Sequence, residues 1–253
     1  MKNLAFIPAR SGSTQVKDKN IKLLNNVPLI CFTVFIAQKA KQLGLFDEIF
    51  VSTDSMDYLN LLNPFNYEEA YLRPSELSRA ESHPIDAVID GIKYLEKKKQ
   101  KFDNVMILQP VSPFRNVQQI VQALDLLEKN KEATCVTTVN KLGDLHPARI
   151  KKIEDGYLKD FNKDSEEIEP SRRQDFKPDA YVRSGSIYLS KTKQIIEEKK
   201  IRGDRVIPLE VSEFYSINID KDTDFFLAEA MINSKLYERE LLEFTDLFDL
   251  YKQ

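Results

Sequence analysis

Short apolar runs alternate along this chain with longer segments in which apolar residues recur at helical spacing. The runs predicted as strands are 4–9, 47–54, 104–110, 133–139 and 184–190. The segments predicted as helices are 28–43, 84–99 and 117–127, with Gly44 suited to end the first and Pro84 to begin the second. Strands and helices in alternation predict an α/β fold, with a mainly parallel sheet and helices on both faces.

Polar clusters follow three of the predicted strands. They are RSGST at 10–14, STD at 52–54 and QPVSPFR at 109–115. In an open parallel sheet, ligands bind beyond the carboxyl ends of the strands, so these clusters are expected to meet at one edge. The sequence therefore predicts a ligand site at that edge.

The remaining organisation follows from composition. The 253 residues are expected to form a single domain, 1–253, with a polar excursion at about 141–177 and a C-terminal helical segment at about 223–253. The net charge of −3 argues against a nucleic-acid binder. No apolar run approaches the roughly 18 residues of a membrane span, and the N-terminal apolar stretch is too short for a signal peptide. Cys31 and Cys135 lie in apolar runs, typical of a reducing compartment, and we expect a cytoplasmic protein without a membrane partner.

The first polar cluster is a candidate phosphate loop. Arg10, Ser11, Gly12 and Ser13 follow the first strand, with Lys17, Lys19 and Asn20 just beyond. Small residues expose backbone N–H groups to phosphate oxygens, and Arg10 and Lys19 supply positive charge. The spacing matches neither a Walker loop nor a dinucleotide-binding loop. A solvated turn with scattered lysines is the alternative.

Two further clusters could bind a nucleobase or a metal. Gln109 can donate and accept hydrogen bonds at once, and two prolines stiffen the backbone after it. In SINID, strand alternation would put Asn218 and Asp220 on one face, where two oxygen ligands could hold Mg²⁺. A rigid structural turn and a polar strand end are the alternatives.

Taken in order, the motifs resemble a known family. The segments IPARSGS, KDKNI, LRPSEL, LQPVSPFR, HPAR, RRQDF, SGSIYL and SINIDKDTDFFLAE are similar to those of the acylneuraminate cytidylyltransferases, the CMP-sialic acid synthetases. The related bacterial enzymes for legionaminic and pseudaminic acids share this pattern. The resemblance runs from about residue 4 to about residue 230. It implies a Rossmann-like nucleotidyltransferase fold and a homodimer, in which the excursion at 141–177 reaches into the partner's active site.

The resemblance also implies roles for individual residues. The residues that it implies to be catalytic are Arg10, Lys19 and Asp220. Those that it assigns to the nucleotide are Arg10, Ser11, Gly12, Ser13, Asn20, Arg73 and Ser82. Those that it assigns to the sugar are Gln109, Ser112, Arg149, Arg173 and Tyr188. Mg²⁺ is the implied cofactor, with Asp220 and Asn218 as its ligands.

The implied reaction joins a nine-carbon acidic sugar, a nonulosonic acid, to CMP from CTP and releases pyrophosphate, for cell-surface glycan biosynthesis. The chain departs from the family pattern at several positions: Ser13-Thr14-Gln15 stands where Ser-Lys-Gly is usual, Asn218 replaces the first metal aspartate, and Ser184 replaces an asparagine. These changes predict a divergent member with an altered sugar or metal site. The alternatives are a KDO cytidylyltransferase, another sugar nucleotidyltransferase, or a non-catalytic nucleotide-binding homologue.

Overall fold

A six-stranded sheet forms the centre of the molecule. A computed structural model describes residues 1–12, 16–67, 69, 71–79, 81–162, 167 and 172–252, without the side chain of Arg173. The strands are β1 Asn3–Pro8, β2 Leu23–Leu24, β3 Val27–Pro28, β4 Glu48–Ser52, β5 Asn104–Ile107, β6 Cys135–Lys141, β7 Lys151–Glu154, β8 Tyr157–Asp160, β9 Tyr181–Lys191 and β10 Val206–Glu210. The helices are α1 Leu29–Gln42, α2 Met56–Asn60, α3 Pro84–Lys97, α4 Val117–Lys129, α5 Thr192–Glu198, α6 Asp222–Ile232, α7 Glu238–Leu241 and α8 Thr245–Leu250.

The strand order in the central sheet is β10-β6-β9-β5-β1-β4. β1 pairs in parallel with both β4 and β5, and β10 pairs in parallel with β6. β9 runs antiparallel between β5 and β6. The mainly parallel sheet predicted from the sequence is therefore confirmed, with one antiparallel strand inserted near its middle.

Helices cover both faces of the sheet, as predicted. On one face, Phe32 of α1, Ile120 of α4 and Phe244 of the C-terminal segment share a core. On the other, Val88 of α3 and Ile195 of α5 pack on the sheet. Leu4 to Ile7 of β1 are wholly buried, because a central strand covered on both faces has no polar side.

The C-terminal region is built of short helices: after α6 come α7, α8 and single 3-10 turns. One segment differs from the sequence-based expectation. The segment 217–220 lies outside the strands, so the alternation predicted for SINID is wrong. The chain is held there by a backbone hydrogen bond from Ile219 to Val111 and by the buried Ile219 side chain.

The excursion lies between β6 and β9. It contains the antiparallel hairpin of β7 and β8, two strands that were not predicted from the sequence. Ile153, Tyr157 and Leu158 on this hairpin are at least 71% exposed. In the described part of the chain, no helix is long and apolar enough to cross a membrane.

Candidate active site

A cleft of about 480 Å³ opens beyond the carboxyl ends of β1 and β5. Several chain segments far apart in sequence converge there, as the sequence predicts for this edge of the sheet. Its lining includes eight of the predicted site residues: Arg10, Lys19, Asn20, Arg73, Ser82, Gln109, Asn218 and Asp220. His83 and Pro84, at the beginning of α3, complete the wall next to Ser82.

The loop after β1 is held by side chains on both sides. Asn20 donates from Nδ2 to the Arg10 carbonyl at 3.0 Å. The backbone N–H and the hydroxyl of Ser11 both donate to Asp54, at 2.7 and 2.8 Å. Both donors of Ser11 are therefore bonded to Asp54, which lies two residues beyond the end of β4. Gly12 adopts a φ of 68°, a conformation that glycine takes without strain, and Ser13 lies outside the described residues.

Arg73 brings a buried cation to the cleft. Its side chain is only 6% exposed, and its backbone N–H donates to Thr53 at 2.7 Å. Nε and Nη2 have no hydrogen-bond acceptor among the described residues. Burial lowers the pKa of Arg73, since desolvation disfavours the charged form. A buried guanidinium with free donors is costly unless an anion pairs with it, so this position favours an anionic ligand.

A chain of hydrogen bonds crosses the floor of the cleft. Lys19 Nζ lies 2.9 Å from Asp220 Oδ1, and Asn218 Nδ2 donates to Asp220 Oδ2 at 3.0 Å. The other end of the same amide, Asn218 Oδ1, accepts from the Ser112 hydroxyl at 3.1 Å. Asn218 thus connects the QPVSPFR loop to the carboxylate that pairs with Lys19. An aspartate at 218 could not donate to Asp220.

Gln109, Ser112 and Tyr188 surround Gly185. A Cβ placed on Gly185 would lie 3.4 Å from Gln109 Oε1, 3.7 Å from the Tyr188 hydroxyl and 3.8 Å from Ser112 Oγ. The structure therefore brings these three predicted sugar-binding residues together, although they come from a loop and from β9. Gly185 itself was not singled out by the sequence analysis.

Of the two predicted sugar-binding arginines, Arg149 does not line this cleft. Arg149 forms ion pairs with Asp144 at 3.3 Å and Glu167 at 3.4 Å, and its guanidinium lies 5.0 Å from the Phe176 ring centroid. The side chain of Arg173 lies outside the described residues. His146, which the same excursion contributes, stacks on Phe176 and accepts from the Ala148 backbone N–H.

The described residues contain no group of three or more His, Cys, Asp or Glu side chains that could hold a metal ion by themselves. Asp220 is the carboxylate that lines the cleft, and its side chain is 54% exposed. Any cation at this position would therefore take its remaining ligands from substrate or water.

The profile of a family described as "Cytidylyltransferase" matches residues 4–228, almost the whole chain. The chain belongs to this cytidylyltransferase family. A curated Legionella pneumophila protein, "CMP-N,N'-diacetyllegionaminic acid synthase", is 32% identical over 241 residues, covering 92% of this chain and 97% of the relative. The N-acylneuraminate cytidylyltransferase of Escherichia coli is 27% identical over 229 residues. There the match covers 90% of this cytidylyltransferase and 51% of the relative, so the chain spans about half the length of the E. coli protein.

These matches confirm the resemblance seen in the motifs, and the protein is a nucleotidyltransferase of the acylneuraminate cytidylyltransferase type. Among solved structures, CMP:2-keto-3-deoxy-manno-octonic acid synthetase complexed with CTP aligns with a TM-score of 0.64 at 15% identity, covering 92% of this chain and 98% of that one. At this identity the likeness concerns the fold, and it confirms the Rossmann-like nucleotidyltransferase architecture.

Proposed function

We propose that this cytidylyltransferase joins a nonulosonic acid to CMP from CTP and releases pyrophosphate. The observation that carries the proposal is the cleft itself: Arg10, Arg73 and Lys19 face it with one carboxylate, Asp220. Such a cleft suits a highly anionic triphosphate. Relatives named for legionaminic, acylneuraminic and pseudaminic acids support a nonulosonic acid as the second substrate.

The chemistry of the proposal is phosphoryl-type transfer without a covalent enzyme intermediate. The anomeric hydroxyl of the sugar attacks the α-phosphorus of CTP, and the bond to the β-phosphate breaks. Catalysis then depends on positioning and on neutralising charge. Arg73, buried with free donors, suits the nucleotide, while Arg10 and Lys19 stabilise charge on the triphosphate. Gln109, Ser112 and Tyr188 bind the sugar around Gly185.

The proposal includes Mg²⁺ at Asp220. The residues fit this ion, because Mg²⁺ is commonly bound by one or two carboxylates together with substrate phosphates and water. Asp220 offers an exposed carboxylate. Asn218 would add its amide oxygen only with the amide turned over, since Nδ2 faces Asp220 and Oδ1 accepts from Ser112. When bound, Mg²⁺ supplies positive charge against the triphosphate. The ammonium of Lys19 lies 2.9 Å from the same carboxylate.

A homodimer is also part of the proposal. The hairpin of β7 and β8 exposes Ile153, Tyr157 and Leu158, and Phe161 just beyond it is 66% exposed. Apolar side chains this exposed favour an interface, and a partner's excursion would bring Arg149 and Arg173 to a neighbouring cleft. Light scattering of the wild type and of Leu158→Lys tests this: we expect a dimer and a monomer. A monomeric wild type would contradict it.

We place the enzyme in the cytoplasm, where its product supplies cell-surface glycan synthesis such as lipopolysaccharide or capsule.

The test is a substrate panel with CTP and Mg²⁺. Legionaminic, sialic and pseudaminic acids, KDO and a sugar 1-phosphate are each incubated with the enzyme, and pyrophosphate and the CMP-sugar are measured by mass spectrometry. We expect product from at least one nonulosonic acid. Product from KDO or a sugar 1-phosphate alone would overturn the proposal. If CTP raises the melting temperature but no acceptor yields pyrophosphate with Mg²⁺ or Mn²⁺, the non-catalytic alternative is favoured.

A further inference from the structure

Among the described residues, Arg115 is the largest side chain that is completely buried. Its guanidinium donates from Nη2 to the Gln109 carbonyl at 2.7 Å, from Nε to the Ser186 carbonyl at 3.1 Å, and from Nη1 to Thr33 Oγ1 at 2.7 Å. All three acceptors are neutral, and no carboxylate in the described part of the chain pairs with this arginine. Burial lowers the pKa of Arg115 to about 9.

A buried cation without a counter-ion is costly, so its place in the fold calls for a reason beyond stability. The three acceptors come from three different elements. Gln109 begins the loop after β5, Ser186 lies on β9, and Thr33 lies on α1. A guanidinium is a rigid planar fork, so one side chain fixes the distances between these elements.

The two backbone acceptors flank the wall around Gly185. Ser186 follows Gly185 along β9. In this part of β9 the pairing with β6 shifts register, between Thr137 and Val139 of β6. Gly185 has a φ of 78°, and this conformation bends the strand at the shift. Gln109 supplies one carbonyl to Arg115 and, through Oε1, one of the polar groups that face Gly185.

We propose that Arg115 is a positioning residue for the acidic sugar, holding the Gln109 loop against the β9 bend at Gly185. With both carbonyls tied to one guanidinium, the Gln109 amide, the Ser112 hydroxyl and the Tyr188 hydroxyl keep a fixed separation around the space that Gly185 leaves open. This inference rests on the proposed function, in which these three groups bind the sugar. It assigns to Arg115 an effect on the second substrate that CTP does not share.

Arg115→Lys is the test variant, because a lysine keeps the charge but cannot serve three acceptors in the geometry of the fork. Thr33→Val is the matched control: it removes one acceptor of the same guanidinium and leaves both carbonyl contacts in place. For each protein, kcat and KM for the sugar are measured at saturating CTP, the Kd for CTP alone by calorimetry, and the folded fraction by urea unfolding.

For Arg115→Lys we expect the KM for the sugar to rise at least about tenfold while the Kd for CTP stays within about threefold. Thr33→Val should change both by less than about threefold, whatever its effect on unfolding. If Arg115→Lys keeps the wild-type KM for the sugar, the proposal is overturned. It is also overturned if the KM for the sugar and the Kd for CTP rise together, in proportion to the unfolded fraction of the variant.

Amide hydrogen exchange gives a second readout that does not depend on the sugar. In Arg115→Lys, exchange should accelerate together in segments 108–116 and 184–189, with segment 4–9 unchanged, because only the first two share the guanidinium. Unchanged exchange in either segment would contradict the proposal. If the wild type converts no nonulosonic acid, the proposed function fails, yet this exchange experiment still decides the positioning role.

Gly185→Ala covers the case in which Arg115→Lys does not fold. Its Cβ would enter the space between the three polar groups, so we expect the same rise in sugar KM with CTP binding retained. If Arg115→Lys does not fold and Gly185→Ala leaves the KM for the sugar unchanged, the proposal is overturned.

Discussion

On the proposal that Mg²⁺ binds at Asp220, replacing Asn218 with aspartate should tighten the binding of that ion. In the structure, Asn218 Nδ2 donates to Asp220 Oδ2 at 3.0 Å. The substitution turns that contact into two facing carboxylate oxygens. Two unit charges 3.0 Å apart repel by about 1.4 kcal/mol at the dielectric of water and by about 5.5 kcal/mol at an effective dielectric of 20.

The lower part of that range applies. The Asp220 side chain is 54% exposed, each charge is spread over two oxygens, and the Lys19 ammonium at 2.9 Å offsets part of the repulsion. About 1–2 kcal/mol of repulsion remains in the metal-free enzyme, and a divalent cation between the carboxylates removes it. Since 1.4 kcal/mol corresponds to a factor of ten, Mg²⁺ should bind about five- to thirtyfold more tightly to Asn218→Asp.

The assay is a Mg²⁺ titration of pyrophosphate release, together with melting curves at zero and saturating Mg²⁺. Asn218→Asp should melt below the wild type without Mg²⁺ and recover with it, and its Mg²⁺ midpoint should fall. Asn218→Ala is the matched control, since it loses the hydrogen bonds to Ser112 and Asp220 without adding charge. Equal Mg²⁺ midpoints for the wild type and Asn218→Asp would refute the reasoning. So would an Asn218→Ala variant whose Mg²⁺ midpoint falls as far as that of Asn218→Asp.

Three further predictions concern Arg73, Asp54 and the two cysteines. Arg73→Met should weaken CTP binding at least about tenfold in calorimetry without lowering the melting temperature, because it removes a buried cation with free donors; unchanged CTP affinity would exclude Arg73 from the nucleotide site. Asp54→Asn should weaken CTP binding severalfold through the Ser11 loop, whereas the exposed Asp57→Asn should not; equal effects would contradict this role. Burial raises the pKa of the Cys31 and Cys135 thiols from 9.0 to about 11. The unfolded chain therefore loses these protons first, and the free energy of unfolding should fall between pH 9 and 11, less steeply in Cys31→Ala; a slope unchanged by that substitution would refute the assignment.

Much of the fold was predictable because its strands and helices have strong local patterns. β1, β4 and β5 are apolar runs buried on both faces, and α3 carries Val88 and Ile92 on one buried stripe. The division of the C-terminal helical segment into several short helices was not predictable. Helices this short are stabilised by packing on the core, not by their own hydrogen bonds. The position of β9, antiparallel between β5 and β6, also depends on pairings that no local pattern encodes.

By itself, the sequence determined the main strands and helices of the core, the family, and the convergence of Arg10, Asp54 and Gln109 at one sheet edge. Only the tertiary structure decided what each polar side chain contacts. Lys19 and Asp220, which pair at 2.9 Å, are 201 positions apart, and Arg115 is buried among neutral acceptors. The physical reason is that periodicity reports which face of an element is buried, whereas hydrogen-bond partners depend on distances between elements that only packing sets.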